Sequence, residues 1–141
     1  MKTQTSNFSI VNEFHVENIL RSILYENGII EIVWDTNIEL IEVPHLKHAQ
    51  KAIAVLGNGN KMPIFFTAHE FLAVSKDGSV FAASTEGVKY TLANAVLIDS
   101  LPKKILFNFF LNFNRPIAPT KGFTNREDAF SWLLLSSINP E

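Results

Sequence analysis

The chain has no cysteine among its 141 residues, which excludes disulfides, a thiolate nucleophile and sulfur-ligated zinc, and accords with a reducing compartment. Charge is sparse as well. Asp, Glu, Lys and Arg together make up 18% of the chain and the formal net charge is -2, so no basic stripe exists that would gain from counterion release on a nucleic acid. No uninterrupted apolar run approaches the roughly 20 residues that span a bilayer, and the opening Met1-Lys2-Thr3-Gln4 carries no apolar signal core. The expectation is a cytoplasmic protein without a transmembrane segment.

The motifs of familiar chemistry are missing too. The four histidines are His15, His45, His48 and His69, and none sits in a His-Glu-x-x-His pattern; His45 and His48 share one side of a helix start without a third ligand. Gly57-Asn58-Gly59-Asn60-Lys61 follows a helix and precedes a strand, the reverse of a phosphate-binding loop, and reads as a helix stop. An enzyme centred on His69 and Ser75, with Asp99, is the least favoured reading because no Gly-x-Ser-x-Gly elbow accompanies it. No cofactor and no metal is implied.

What the sequence does have is apolar surface. Hydrophobic residues amount to 47%, enough for one domain over residues 1–141, with 1–7 as a loose start. Residues 93–98 form a nearly continuous apolar run, the pattern of an inner parallel strand covered on both faces. Pro102 opens a helix in which Ile105, Leu106, Phe109, Phe110 and Phe113 recur at helical spacing. Residues 118–123 follow as a strand that Pro119 assigns to a sheet edge. Thr124 with Glu127 forms a capping-box pattern ahead of a last helix reaching Ile138.

Upstream, Phe8 to Phe14 is an irregular first strand, and Asn27-Gly28 between Ile19–Tyr25 and Ile29–Trp34 signals a hairpin with positive φ at both turn positions. Residues 38–43 read equally as a short strand or a lead-in. A helix over 44–56, a strand over 62–66 and a helix capped by Ser75 and running through Val80, Phe81, Ser84 and Val88 complete the order. Gly78 and Gly87 count against that last helix by about 1 kcal/mol each relative to alanine.

The third helix carries Phe107, Phe109, Phe110, Leu111 and Phe113 around nearly its whole circumference. One face covers a sheet, and the remainder must meet something else, because large exposed apolar patches are uncommon on monomers. Asn108 and Asn112 are its polar interruption. The expected interface is therefore Phe107, Asn108, Phe110, Leu111 and Phe113, joined by Trp132, with a protein partner or a second copy as occupant. An apolar small ligand is the alternative.

Several stretches resemble small bacterial STAS/SEC14-like proteins of uncharacterised families, common in Bacteroidetes. These are the Asn27-Gly28 hairpin, Ala95-Val96-Leu97-Ile98-Asp99-Ser100, residues 108–116 (NFFLNFNRP) and residues 123–133 (FTNREDAFSWL). The resemblance implies an α/β, STAS-like (SpoIIAA-like) mixed sheet with an N-terminal β-hairpin, about five or six strands and four flanking helices. It also implies non-enzymatic protein-binding regulation of the anti-sigma-factor-antagonist kind, or lipid binding on the SEC14-like side. Characterised antagonists carry a phosphorylated Ser in an Asp-Ser-x-Gly-like loop. The nearest match is Ser75-Lys76-Asp77-Gly78-Ser79, with Ser75 or Ser79 as candidate phosphoacceptor and Val74 where the family has Asp.

Overall fold

The computed structural model describes residues 8–68 and 72–138, the side chains of Phe113 and Ile138 apart. Its elements are β1 (Ile10–Val16), β2 (Leu20–Tyr25), β3 (Ile30–Trp34), β4 (Leu40–Ile41), α1 (Val43–Leu56), β5 (Met62–Thr67), β6 (Ala73–Val74), α2 (Lys76–Ala83), β7 (Thr91–Leu97), α3 (Leu101–Phe113), β8 (Thr120–Phe123) and α4 (Arg126–Ile138). Six strands form one mixed sheet in the order β1-β2-β3-β5-β7-β8. The first three are antiparallel, and β3, β5, β7 and β8 run parallel. The expected α/β class, N-terminal hairpin, six strands and four helices are all present. β4 and β6 make a separate two-stranded parallel ribbon.

Alternation along the strands assigns the two faces. Ile30, Ile32, Trp34 and Ile64 are buried together with Ala49, Ala52, Ile53 and Leu56 of α1. On the other face Ile23, Tyr25, Phe65, Ala93 and Ala95 meet Ala129, Phe130 and Leu133 of α4. Phe130 is the centre of that second layer, edge-on to Tyr25 and Phe65 with ring centroids 5.6 and 5.4 Å away. β7 is an inner strand and β8 an edge strand, and the proline ahead of β8 lies outside the paired residues.

Several expectations need correction. The hairpin at Asn27-Gly28 has positive φ only at Gly28, +92°. Gly28 N–H donates to the Tyr25 carbonyl at 2.9 Å and Tyr25 N–H to the Ile29 carbonyl at 2.9 Å, while Asn27 Oδ1 accepts from Ile29 N–H. The loop is thus one residue longer than a two-residue turn, and a single glycine supplies the left-handed step.

The helix of Ser75 ends at Ala83 and does not reach Val88. Ser84 is extended, its hydroxyl donates to the Phe81 carbonyl at 2.6 Å, and it accepts from Gly87 N–H at 3.0 Å. Gly87 lies so close that a Cβ there would fall 1.9 Å from the Phe81 carbonyl oxygen. The last helix is capped one residue later than expected: Asn125 Oδ1 accepts from Asp128 N–H at 2.9 Å, and Asn125 Nδ2 donates to the Asp128 carboxylate at 3.0 Å. Asn outranks Thr as a cap, so Asn125 takes the position from Thr124. The expected loose start, 1–7, lies outside the described residues.

Candidate functional site

The third helix begins where β7 ends. Ser100 caps it by accepting from Lys103 N–H, and Pro102 occupies the first turn, where no N–H is needed. Lys103 then fixes the helix to the sheet. Its Nζ donates to the Ala68 carbonyl at 2.7 Å and to Asp99 Oδ1 at 2.9 Å, with only 14% of the side chain exposed.

One turn on, Phe107 lies over Gly122 of β8. A Cβ on Gly122 would approach the Phe107 ring to 2.9 Å and Ile98 Cδ1 to 2.6 Å, so the glycine is the seat of the ring. Glycine inside a strand marks such a close approach. α3 is therefore held at the β7–β8 end of the sheet, on the same face as α1.

Between α1 and α3 that face is not filled. A cavity of about 200 Å³ has Phe66, Asn94, Val96 and Thr120 as its floor and Leu106, Phe107 and Phe110 of α3 along one side. Leu46 of α1 and Ala82 of α2 stand opposite, and Ile41 and Val74 of the β4–β6 ribbon complete the wall. Leu106 and Val74 line the cavity yet stay 43% and 42% exposed, which places its mouth between α3 and the ribbon. The loop after α3 closes another side, since Ile117 N–H donates to the Ala83 carbonyl at 3.2 Å.

The solvent side of α3 carries an apolar row too, beside the exposed Lys104, Asn108 and Asn112. Leu101, Ile105 and Phe109, at i, i+4 and i+8, are 68%, 58% and 62% exposed. Among the described residues of α3 no side chain is fully buried. In α4, by contrast, Ala129, Phe130 and Leu133 are buried completely.

The expected interface residues divide. Phe107 and Phe110 face the cavity, Leu111 is half-buried, and Asn108 is exposed beside Asn112. The Phe113 side chain lies outside the described residues. Trp132 is on α4, 5.6 Å from the Phe123 ring and on the opposite face of the sheet from α3.

Ser75 Oγ accepts from Gly78 N–H at 2.9 Å as the cap of α2, and Ser79 is half-buried in the first turn. Gly78 is the point of contact with β4, where a Cβ would sit 3.0 Å from the Ile41 carbonyl oxygen. His69 lies outside the described residues, and Asp99 is the ion partner of Lys103. His45 accepts from Glu42 N–H at 2.9 Å in the cap of α1, and His48 is exposed. Among the described residues no cluster of His, Asp or Glu has the makings of a metal site, and no helix is long and apolar enough to cross a membrane.

A second polar constellation lies on the α4 face. Glu31, the second residue of β3, is only 5% exposed. Its carboxylate accepts from Tyr25 Oη at 2.8 Å, from Thr67 Oγ1 at 3.1 Å and from both terminal nitrogens of Arg126. The Arg126 guanidinium also stands 5.3 Å from the ring centres of Phe65 and Phe130. Burial, then the adjacent Glu31 carboxylate, pushes the Tyr25 phenol up to about 12. Burial opposes the charge on Arg126, and Glu31 outweighs it, raising the guanidinium further. Glu31 inside the apolar run 29–34 was the one sequence signal of this cluster, because a carboxylate at an inward position demands a partner.

Among solved structures, the chain is similar to a protein with unknown function from Arthrobacter sp. FB24, at 27% identity over 81% of this chain and 98% of that one, with a TM-score of 0.30. No curated protein matches it. Residues 23–135, from β2 to α4, match the model of a family described as a domain of unknown function, DUF7793, and the chain belongs to that family.

Proposed function

We propose that this protein is a non-catalytic, STAS-like binding module that engages a protein partner through α3. The reading rests on one observation: apolar residues occupy most of the circumference of α3, interrupted by Lys104, Asn108 and Asn112, yet none of its described side chains is fully buried by its own fold. A helix with so wide an apolar surface needs cover on more than one side, and its own sheet covers only part of this one. The mixed sheet with helices on both faces supports the STAS-like reading, as does a serine at the start of α2.

Ile105→Asp places a carboxylate in the middle of the exposed stripe without touching the cavity. The variant is expected to fold as the wild type does and to lose the protein that co-purifies with the tagged wild type from its own cells. Equal recovery of that partner by both proteins would sink the reading. Self-association is the special case in which the partner is a second copy, and solution mass by light scattering decides it.

The cavity favours a second reading, a carrier of a small apolar ligand. Its volume of about 200 Å³ exceeds the roughly 150 Å³ of an apolar cavity that takes up benzene. Native mass spectrometry of protein purified from its own cells is expected to show retained mass that Phe110→Trp, which fills the cavity, removes. Identical ligand-free masses for both proteins would count against it.

A further inference from the structure

We propose that the cavity between α1 and α3 takes a small uncharged molecule, apolar over most of its surface and carrying one hydroxyl, carbonyl or amide group that pairs with Asn94. The inference rests on the ligand reading above and names the class of molecule. Asn94 sits in β7 with its neighbours Ala93 and Ala95 buried against α4, so its own side chain belongs to the cavity face. Its backbone N–H is satisfied by the Pro119 carbonyl at 2.8 Å, and no described residue hydrogen-bonds its side-chain amide. A primary amide both donates and accepts, so an alcohol, a carbonyl or another amide completes it equally well.

Charge is argued out by the rest of the lining. The cation among the described lining residues, Lys103, is already matched by Asp99 and donates to the Ala68 carbonyl. An anionic ligand would have to share that cation with a carboxylate 2.9 Å from it, like charge against like charge. Among the described lining residues there is no Asp or Glu, so a cationic ligand finds no counter-ion among them. Of the other polar side chains of the described lining, Thr120 Oγ1 donates to the Ala118 carbonyl at 3.0 Å and Thr67 Oγ1 to Glu31 at 3.1 Å, while the Trp34 indole N–H can donate but not accept. Asn94 is left as the one described lining side chain that can both donate and accept with neither capacity spent. Specificity in an apolar site comes from such a single placed polar group.

Toluene, phenol, benzoate and benzylamine are probes of nearly one size, and titration of each into the ¹⁵N-labelled full chain tests the assignment. Toluene and phenol are expected to shift the amides of Val96 and Leu106, with only phenol shifting the side-chain amide of Asn94, and both are expected to bind more tightly than the two ions. In Asn94→Leu the ratio of phenol to toluene affinity is expected to fall about fivefold, the equivalent of one net hydrogen bond of about 1 kcal/mol. An unchanged ratio overturns the role of Asn94 and leaves the ligand reading standing. Tightest binding by benzoate or benzylamine overturns the uncharged class. Failure of all four to bind at millimolar concentration ends the ligand reading and this inference together. If Asn94→Leu does not fold, the wild-type side-chain resonance decides alone, and equal shifts with phenol and toluene overturn the proposal.

Discussion

Arg126, the first residue of α4, reaches across the sheet to the carboxylate of Glu31 near the start of β3, closing a contact between residues 95 positions apart in the chain. This pair ties the N-terminus of the last helix to the antiparallel half of the sheet. Its environment is lopsided: Glu31 is buried, whereas 36% of the Arg126 side chain faces solvent. Removal of the cation therefore strands an anion in the interior, and removal of the anion leaves a cation that can turn to water.

Arg126→Met is accordingly expected to cost about 2–3 kcal/mol, somewhat below the range for a fully buried pair because Arg126 is partly solvated. Glu31→Gln should cost less. Replacing both, with Glu31→Leu and Arg126→Met, should recover most of the loss, since apolar residues of similar volume take the place of a desolvated pair. Urea denaturation midpoints at pH 7 measure all four proteins. A double variant as unstable as Arg126→Met would refute this account.

The Tyr25 phenol supplies a pH signature. It keeps its proton in the folded protein to about pH 12, while an unfolded tyrosine loses it near pH 10. Between those values the unfolded state binds fewer protons than the folded one, so stability falls as pH rises. The contribution is fully present below pH 10 and declines by at most about 1.4 kcal/mol per pH unit above it. Tyr25→Phe is expected to start less stable at pH 7, by about 1–2 kcal/mol for the lost hydrogen bond to Glu31. Its profile should then be flatter than that of the wild type from pH 10 to 12, as followed by guanidinium midpoints.

Much of the scaffold was legible because it depends on local pattern. The apolar run of β7, the Asn27-Gly28 turn and the Ser75 cap each carry their signal within a few residues. Pairing of β1 with β2 was not legible: its turn passes through Glu17 and Asn18, with φ of +66° at Asn18, and no glycine marks it. The two-residue strands β4 and β6 are too short for any period to show.

The site divides the same way. That α3 carries excess apolar surface follows from composition, but Lys104, Asn108 and Asn112 mark only one stripe facing water, and apolar residues on both flanks of it leave open which of them face inward. Gly122 was the cue to the face occupied by Phe107, and its meaning depends on a crossover no local pattern gives. Glu31 announced its need for a cation among twelve Lys and Arg; which one answers is a matter of topology.

Ser75 is open to a test that separates capping from phosphorylation. Ser75→Ala removes the acceptor for Gly78 N–H and is expected to cost about 1 kcal/mol. Asp caps as well as Ser and complements the helix end, so Ser75→Asp should retain wild-type stability. Thermal unfolding compares the three. If Ser75→Asp also abolishes recovery of the partner while its stability holds, Ser75 acts as a charge switch in addition to its cap; unchanged recovery assigns it to capping alone.

Gly122 ties the fold to the site. Adding a methyl group there displaces both Ile98 Cδ1, 2.6 Å from the new Cβ, and the Phe107 ring, two carbons of which would lie at 2.9 and 3.1 Å. Gly122→Ala is expected to cost about 1–3 kcal/mol, the usual penalty of overpacking. Phe107→Leu in the same chain vacates the space the ring occupied, so the pair should be more stable than the sum of the two single changes. That coupling, read by a double-mutant cycle of urea midpoints, is expected to reach at least 0.5 kcal/mol, the lower end for residues in contact. Strict additivity would mean that α3 does not rest on β8 through this ring, and the cavity would then lose the wall that Phe107 provides.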